Sequence, residues 1–139
     1  MPIRFFNEDV DFKPRNPQKT KNWINEAIGL EDCTLGEINY IFCSDQYLLA
    51  MNKRFLRHNT FTDIVTFDTS EQEGKISGDI YISTDRIADN AVKFKVPFDQ
   101  ELRRVLIHGV LHLIGYGDKS QRQKSAMRRK EDTYLSLWP

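Results

Sequence analysis

Gln100-Glu-Leu-Arg-Arg-Val-Leu-Ile-His108-Gly-Val-Leu-His112-Leu-Ile-Gly115-Tyr-Gly-Asp118 is the stretch from which the rest of the chain can be read. Leu102, Val105, Leu106 and Val110 recur at helical spacing and predict one apolar helix face from Gln100 to about Ile114. Asp99 is placed to cap its start, Pro97 interrupts the pattern before it, and Gly115 and Gly117 end it. A polar helix from about Ser120 to Leu137 follows.

Upstream, Thr84 is positioned to cap a helix reaching about Phe94. Asp79 to Ser83 and Ile64 to Phe67 read as strands, with the polar stretch Thr69 to Ser77 as the loop between them. Ser44 or Asp45 caps a helix whose apolar side is Leu48, Leu49, Met51 and Phe55. From Glu37 to Cys43 the residues alternate, with Ile38, Tyr40 and Phe42 facing one way, as a strand requires. Thr20 to Ile28 is helical in spacing, with Gly29 at the expected C-terminal cap, and Ile3 to Phe6 is a short apolar stretch. Strands and helices are mixed without strict alternation. The pattern predicts an α+β fold with one small mixed sheet packed by helices, in a single domain spanning residues 1–139.

Twenty Lys and Arg against twenty Asp and Glu give a formal net charge of zero, which excludes a globally basic nucleic-acid coat. Any affinity for a polyanion must come from a local patch. A chain that is 40% hydrophobic and 12% aromatic excludes disordered and collagen-like classes. Mean hydropathy is −0.55 and the longest apolar run is Tyr47 to Met51, so no membrane span and no secretory signal are expected. Cys33 and Cys43 form neither a disulfide framework nor a metal pair. The expectation is a reduced, intracellular, monomeric protein.

The chemistry concentrates in the quoted stretch. His108 and His112, four apart on a helix, project from one face with Cβ atoms about 5–6 Å apart. Histidines at this spacing also serve as packing residues. Here, however, Gly115 can turn the chain back and bring Asp118 to the same point, which favours a metal. Two imidazoles and a carboxylate make a three-ligand metal set whose fourth position is left for water, and such a site can supply hydroxide near neutral pH. The spacing also matches the long zinc-protease pattern, but Gly109 stands where the proteases carry the Glu that accepts the water's proton. Peptide hydrolysis is therefore disfavoured; a metal hydroxide attacking a phosphodiester, or a metal stabilising charge as a ribose 2′-hydroxyl attacks, remains open.

His108-Gly-x-Leu-His112-Leu-x-Gly115-Tyr116, followed by Met127 and Glu131, resembles the signature of the YbeY family, bacterial metal-dependent endoribonucleases of ribosomal RNA maturation. Met51-Asn52-x2-Phe55, Thr62-Asp63-Ile64-Val65-Thr66-Phe67 and Gly78-Asp79-Ile80 are similar to further blocks of that family. The resemblance implies zincin-like placement of the metal helix beside the sheet and one zinc ion per chain. It further implies cytoplasmic location, contacts with the small ribosomal subunit, and single-strand cleavage in maturing the 3′ end of its RNA. Two departures stand out. The family's third ligand His is Asp118 here, and its Arg falls on Leu56, with Arg57 one residue further as the substitute catalytic residue.

Lys119, Arg122, Lys124, Arg128 and Arg129 begin directly after the ligand turn and are candidate RNA-binding residues as well as an ordinary solvated face. His58 reads as a surface residue. Thr62 and Asp63 read first as turn or strand-start hydrogen-bonders; Asp63 is alternatively a candidate for orienting a ligand imidazole from behind, and Asp79 has the same two readings. A zinc-braced ribosome-assembly factor without catalysis is the alternative function, and a metallopeptidase the remoter one.

Overall fold

The computed structural model describes residues 2–56 and 62–139, with the side chains of Phe55 and Leu56 left aside. Four strands form one mixed sheet: β1 (Ile3–Asn7), β2 (Thr34–Cys43), β3 (Ile64–Asp68) and β4 (Lys75–Ser83), in the order β1-β2-β4-β3. β1, β2 and β4 run parallel, and β3 closes one edge antiparallel to β4. The helices are α1 (Pro17–Leu30), α2 (Asp45–Leu56), α3 (Thr84–Phe94), α4 (Phe98–Ile114) and α5 (Gln121–Ser136). The architecture is α+β, as the sequence predicts.

Alternation decides which sheet face is filled. Ile38, Tyr40, Phe42, Ile80 and Ile82 are fully buried in one core with Trp23, Ile24 and Ile28 of α1 and Leu106, Ile107 and Val110 of α4. A smaller cluster of Cys43, Leu48 and Val65, flanked by Tyr47, Met51, Phe67 and Tyr81, involves α2. Two buried hydrogen bonds tie helices into place. Tyr40 OH donates to the Leu106 carbonyl of α4 at 2.9 Å, and Trp23 Nε1 donates to the Tyr134 carbonyl of α5 at 2.7 Å. Trp138 packs edge-on against Trp23.

Element ends shift in instructive ways. Gly29 stays within α1, and the left-handed residue after the helix is Asp32 (φ 59°), where Cys33 N–H reaches back to the Ile28 carbonyl. β2 begins at Thr34 and β4 at Lys75, inside the expected loop, because these two segments pair with each other. Ser83, not Thr84, caps α3 by accepting the Arg86 N–H. α4 starts at Phe98, directly after Pro97, so Asp99 lies in its first turn instead of capping it. Ser120, near the expected start of the last helix, caps α5 with a reciprocal box to Gln123.

Candidate metal centre

α4 lies hard against the sheet, and a glycine allows it. A Cβ on Gly109 would sit 2.8 Å from Ile64 Cδ1 and 3.0 Å from Ile80 Cγ2. The position held by the base in zinc proteases thus faces packed sheet, with no room for a carboxylate. This position supplies no base, which further disfavours the peptidase alternative. With Gly109 turned inward, His108 and His112 emerge at the helix margin with side chains 20% and 23% exposed. Gly115, at φ 127°, ends the helix in a backbone conformation that L side chains rarely adopt, and the turn carries Asp118 back.

The three side chains meet. His108 Nε2 and His112 Nε2 are 2.9 Å apart, and Asp118 Oδ2 lies 3.5 Å from the first and 3.3 Å from the second. The other nitrogen of each ring is already engaged. His108 Nδ1 is 2.6 Å from Glu131 Oε2, and the same carboxylate receives Arg104 Nη1 at 2.9 Å. His112 Nδ1 is 3.0 Å from the Tyr116 carbonyl. A carboxylate serving Arg104 and a carbonyl oxygen are both acceptors, so each Nδ1 carries the proton and each Nε2 presents a lone pair.

Three lone-pair donors facing one another repel unless a proton or a cation lies between them. Zinc bonds of 2.0–2.2 Å at tetrahedral angles place ligand atoms about 3.3 Å apart, and the observed 2.9–3.5 Å brackets that spacing. The donor set is two imidazoles and a carboxylate, acceptable to zinc and to neighbouring transition metals. The group therefore fits a divalent metal. Among the described residues it is a set of three donors, not four.

Glu131 is the residue that spacing alone does not assign. Buried on α5, it bridges His108 and Arg104, while Arg104 also reaches Asp132 at 2.7 Å. Burial acts to lower the His108 pKa, but the hydrogen bond and charge of Glu131, with Asp63 and Asp118 nearby, hold it above the ordinary value. Asp63 is half-buried; burial raises its pKa and the charge of His108 opposes the rise. It is thus a neighbour of the site, yet the ring nitrogens bond Glu131 and Tyr116 instead. Asp79 alternates with Ile80 and faces away from α4, accepting a hydrogen bond from Asn39 at 3.0 Å.

Lys119, Arg122, Lys124, Arg128 and Arg129 are all exposed. Lys124, Arg128 and Arg129 line an open pocket of about 480 Å³ with Ser125. Lys130, by contrast, is taken up by Glu31 at 2.9 Å. Arg57 and His58 lie outside the described residues.

Comparison with known proteins gives the family. Residues 3–138 match the family model described as endoribonuclease YbeY. A protein of Cytophaga hutchinsonii named endoribonuclease YbeY is 51% identical over 97% of this chain and 94% of its own length. Its namesake from Flavobacterium psychrophilum is 50% identical over 96% and 94%. The solution structure of the Thermotoga maritima protein TM1509 superposes with a TM-score of 0.64 at 27% identity, covering 96% of this chain and 87% of that one. A full-length family match, close relatives of the same name and a shared fold leave one assignment: the chain belongs to the endoribonuclease YbeY family.

Proposed function

We propose that residues 1–139 act as one metal-dependent ribonuclease domain, a hydrolase that cleaves phosphodiester bonds in single-stranded RNA. Its substrate in this reading is the 3′ region of small-subunit ribosomal RNA, met in the cytoplasm by a monomer that contacts the small ribosomal subunit. The observation that carries the reading is the convergence of His108 Nε2, His112 Nε2 and Asp118 Oδ2 with both Nδ1 atoms already engaged. The names of the close relatives supply the reaction class.

His108, His112 and Asp118 would hold zinc, which when bound supplies a Lewis acid able to activate water near neutral pH and to offset charge on a phosphodiester oxygen. The protein's own part is positional and electrostatic. Glu131 keeps the His108 proton on Nδ1 and the ring edge toward the centre. The Tyr116 carbonyl does the same for His112. Asp118, its side chain 43% exposed, leaves one side of the centre open to a strand. Lys119, Arg122, Lys124, Arg128 and Arg129 raise the local concentration of phosphates beside it. Arg57 is the candidate that would supply positive charge to the reaction.

Elemental analysis of the purified protein, paired with cleavage of a ribosomal RNA 3′ segment, tests the proposal. The wild type is expected to hold one zinc and to cut. His112→Ala and Asp118→Ala should lose the metal, the cleavage, or both, while keeping a cooperative melt. Undiminished cleavage by His112→Ala in metal-free buffer would sink the proposal. Zinc without cleavage, in the presence of assembled small subunits, would point to an assembly factor that uses the metal as a brace.

A further inference from the structure

Glu31 is a buried carboxylate that neither the metal set nor the RNA-facing residues explain. It follows α1 directly, 85 residues before Tyr116, and its side chain is 7% exposed. Three donors close on it: Tyr116 OH at 2.5 Å, Lys130 Nζ at 2.9 Å, and Tyr134 OH. Burial would push its pKa up, but these three donors and the Lys130 charge hold it below the ordinary carboxylate value. With the Lys130 side chain 40% exposed, an ion pair of this kind contributes little stability alone. What the pair touches is therefore informative.

Two of the three donors belong to α5, but the third belongs to the turn between the metal-ligand candidates. In Gly115-Tyr116-Gly117 the only side chain is that of Tyr116, so the turn can be gripped from outside its backbone at that one place. Glu31 grips the phenol, and Lys130 Nζ lies 5.7 Å from the ring centre. The Tyr116 N–H is held by the Leu111 carbonyl at 3.0 Å. With the N–H and the ring both held, the Tyr116 carbonyl meets His112 Nδ1 at 3.0 Å. Asp118 follows two residues later on the same turn.

We propose that Glu31 is a positioning residue for the metal centre: through Tyr116 it aims the carbonyl that keeps the His112 proton on Nδ1 and the Nε2 lone pair toward His108 and Asp118. Its consequence for metal binding rests on the zinc reading above; its effect on His112 does not. Without the grip, the carbonyl loses its fixed direction. Neutral His112 then divides between its two tautomers, and the form protonated on Nε2 cannot bind a cation there.

The experiment reads both levels in the wild type, Glu31→Gln, Tyr116→Phe and Tyr134→Phe. Tyr134→Phe is the control: it removes a Glu31 hydrogen bond and some stability but leaves the Glu31–Tyr116 contact. In metal-free protein with ¹⁵N-labelled histidine, at a pH well above the imidazole range, His112 should report the Nδ1–H tautomer in the wild type and in Tyr134→Phe. Glu31→Gln and Tyr116→Phe should report a mixture. Competition against a chromophoric chelator should show zinc affinity at least about tenfold weaker in those two variants and within about twofold of wild type in Tyr134→Phe. If Glu31→Gln does not fold, Tyr116→Phe decides, because it leaves Glu31 its other two donors. A lower melting temperature with unchanged tautomer and unchanged zinc affinity would make Glu31 a structural anchor only and overturn the proposal. A tautomer shift in a protein whose wild type takes up no zinc would leave the positioning intact and sink the metal reading instead.

Discussion

His108 and His112 leave the same face of one helix, four residues apart and nearly equally exposed, yet they are held by unlike means. His108 leans on a buried carboxylate that is itself paired with Arg104, so its support is ionic and comes from the packed seam of α4 and α5. His112 leans on a main-chain carbonyl in a turn between two glycines, so its support is neutral and geometric. A packed seam can hold a charged acceptor because Arg104 is there to balance it. A turn has no such neighbour of its own, and its one side chain is held from α1 and α5. The comparison teaches that orientation of the two rings is built twice, from different parts of the chain and with different physics.

The sharpest way to break that comparison is to delete the rings. His108→Ala and His112→Ala should each abolish zinc binding, but their metal-free melts should differ. Removing His108 leaves one oxygen of a buried carboxylate without its donor, which costs on the order of 1–3 kcal/mol. Removing His112 frees only a carbonyl on a half-exposed turn. His108→Ala is therefore expected to melt several degrees below His112→Ala, at a few degrees per kcal/mol for a domain of this size. Equal melts would mean that Arg104 alone satisfies Glu131 and that the two supports are energetically alike.

A milder change isolates the charge. Glu131→Gln keeps the shape of the acceptor but removes its charge, and its amide can also present a donor to the ring. Zinc affinity is expected to fall about 10- to 100-fold, the usual cost of losing a partner behind a metal-bound imidazole. Chelator competition on the folded variant measures it. A change below about twofold would show that the ionic character of this support is irrelevant to the centre.

The same contrast marks what could be read from the sequence. The His108–His112 pair, the glycine at the bend and Asp118 all lie within eleven residues, where helical period and turn chemistry dictate geometry, and the structure brings all three side chains together. Glu131 is 23 residues from His108, and its contact depends on how α5 packs against α4, which no local period encodes. One signal was available: Met127, Glu131 and Tyr134 share a helix face and are the buried residues of α5, so Glu131 is an acid set in an otherwise apolar stripe. Glu31 carries no such mark, because its donors come from 85 to 103 residues away. The fold class was legible through alternation in Glu37 to Cys43 and periodicity in α4. The early starts of β2 and β4 were not, because polar residues such as Thr34 and Lys75 join the sheet only by pairing with each other. Gly109 was legible as a missing base, whereas its role in bringing α4 onto Ile64 and Ile80 needed the packed structure.

The finest test uses pH, because the two carboxylates act on opposite limbs of the stability curve. His108 has its folded-state pKa raised above 6.5, so in the metal-free protein its contribution is complete below that value and is lost as pH rises through the raised one. Glu31 has its pKa lowered from 4.5, so its contribution is complete above that value and is lost as pH falls through the lowered one. Metal-free melts should therefore decline on the acid side in a way that Glu31→Gln removes. They should also decline above the imidazole range in a way that Glu131→Gln removes. Saturating zinc should reverse the second trend alone, since the cation needs Nε2 of both rings free of protons and binds more tightly as pH rises. If Glu131→Gln kept the decline above the imidazole range, the raised His108 pKa would have another source, and the ionic brace would lose its place in the comparison.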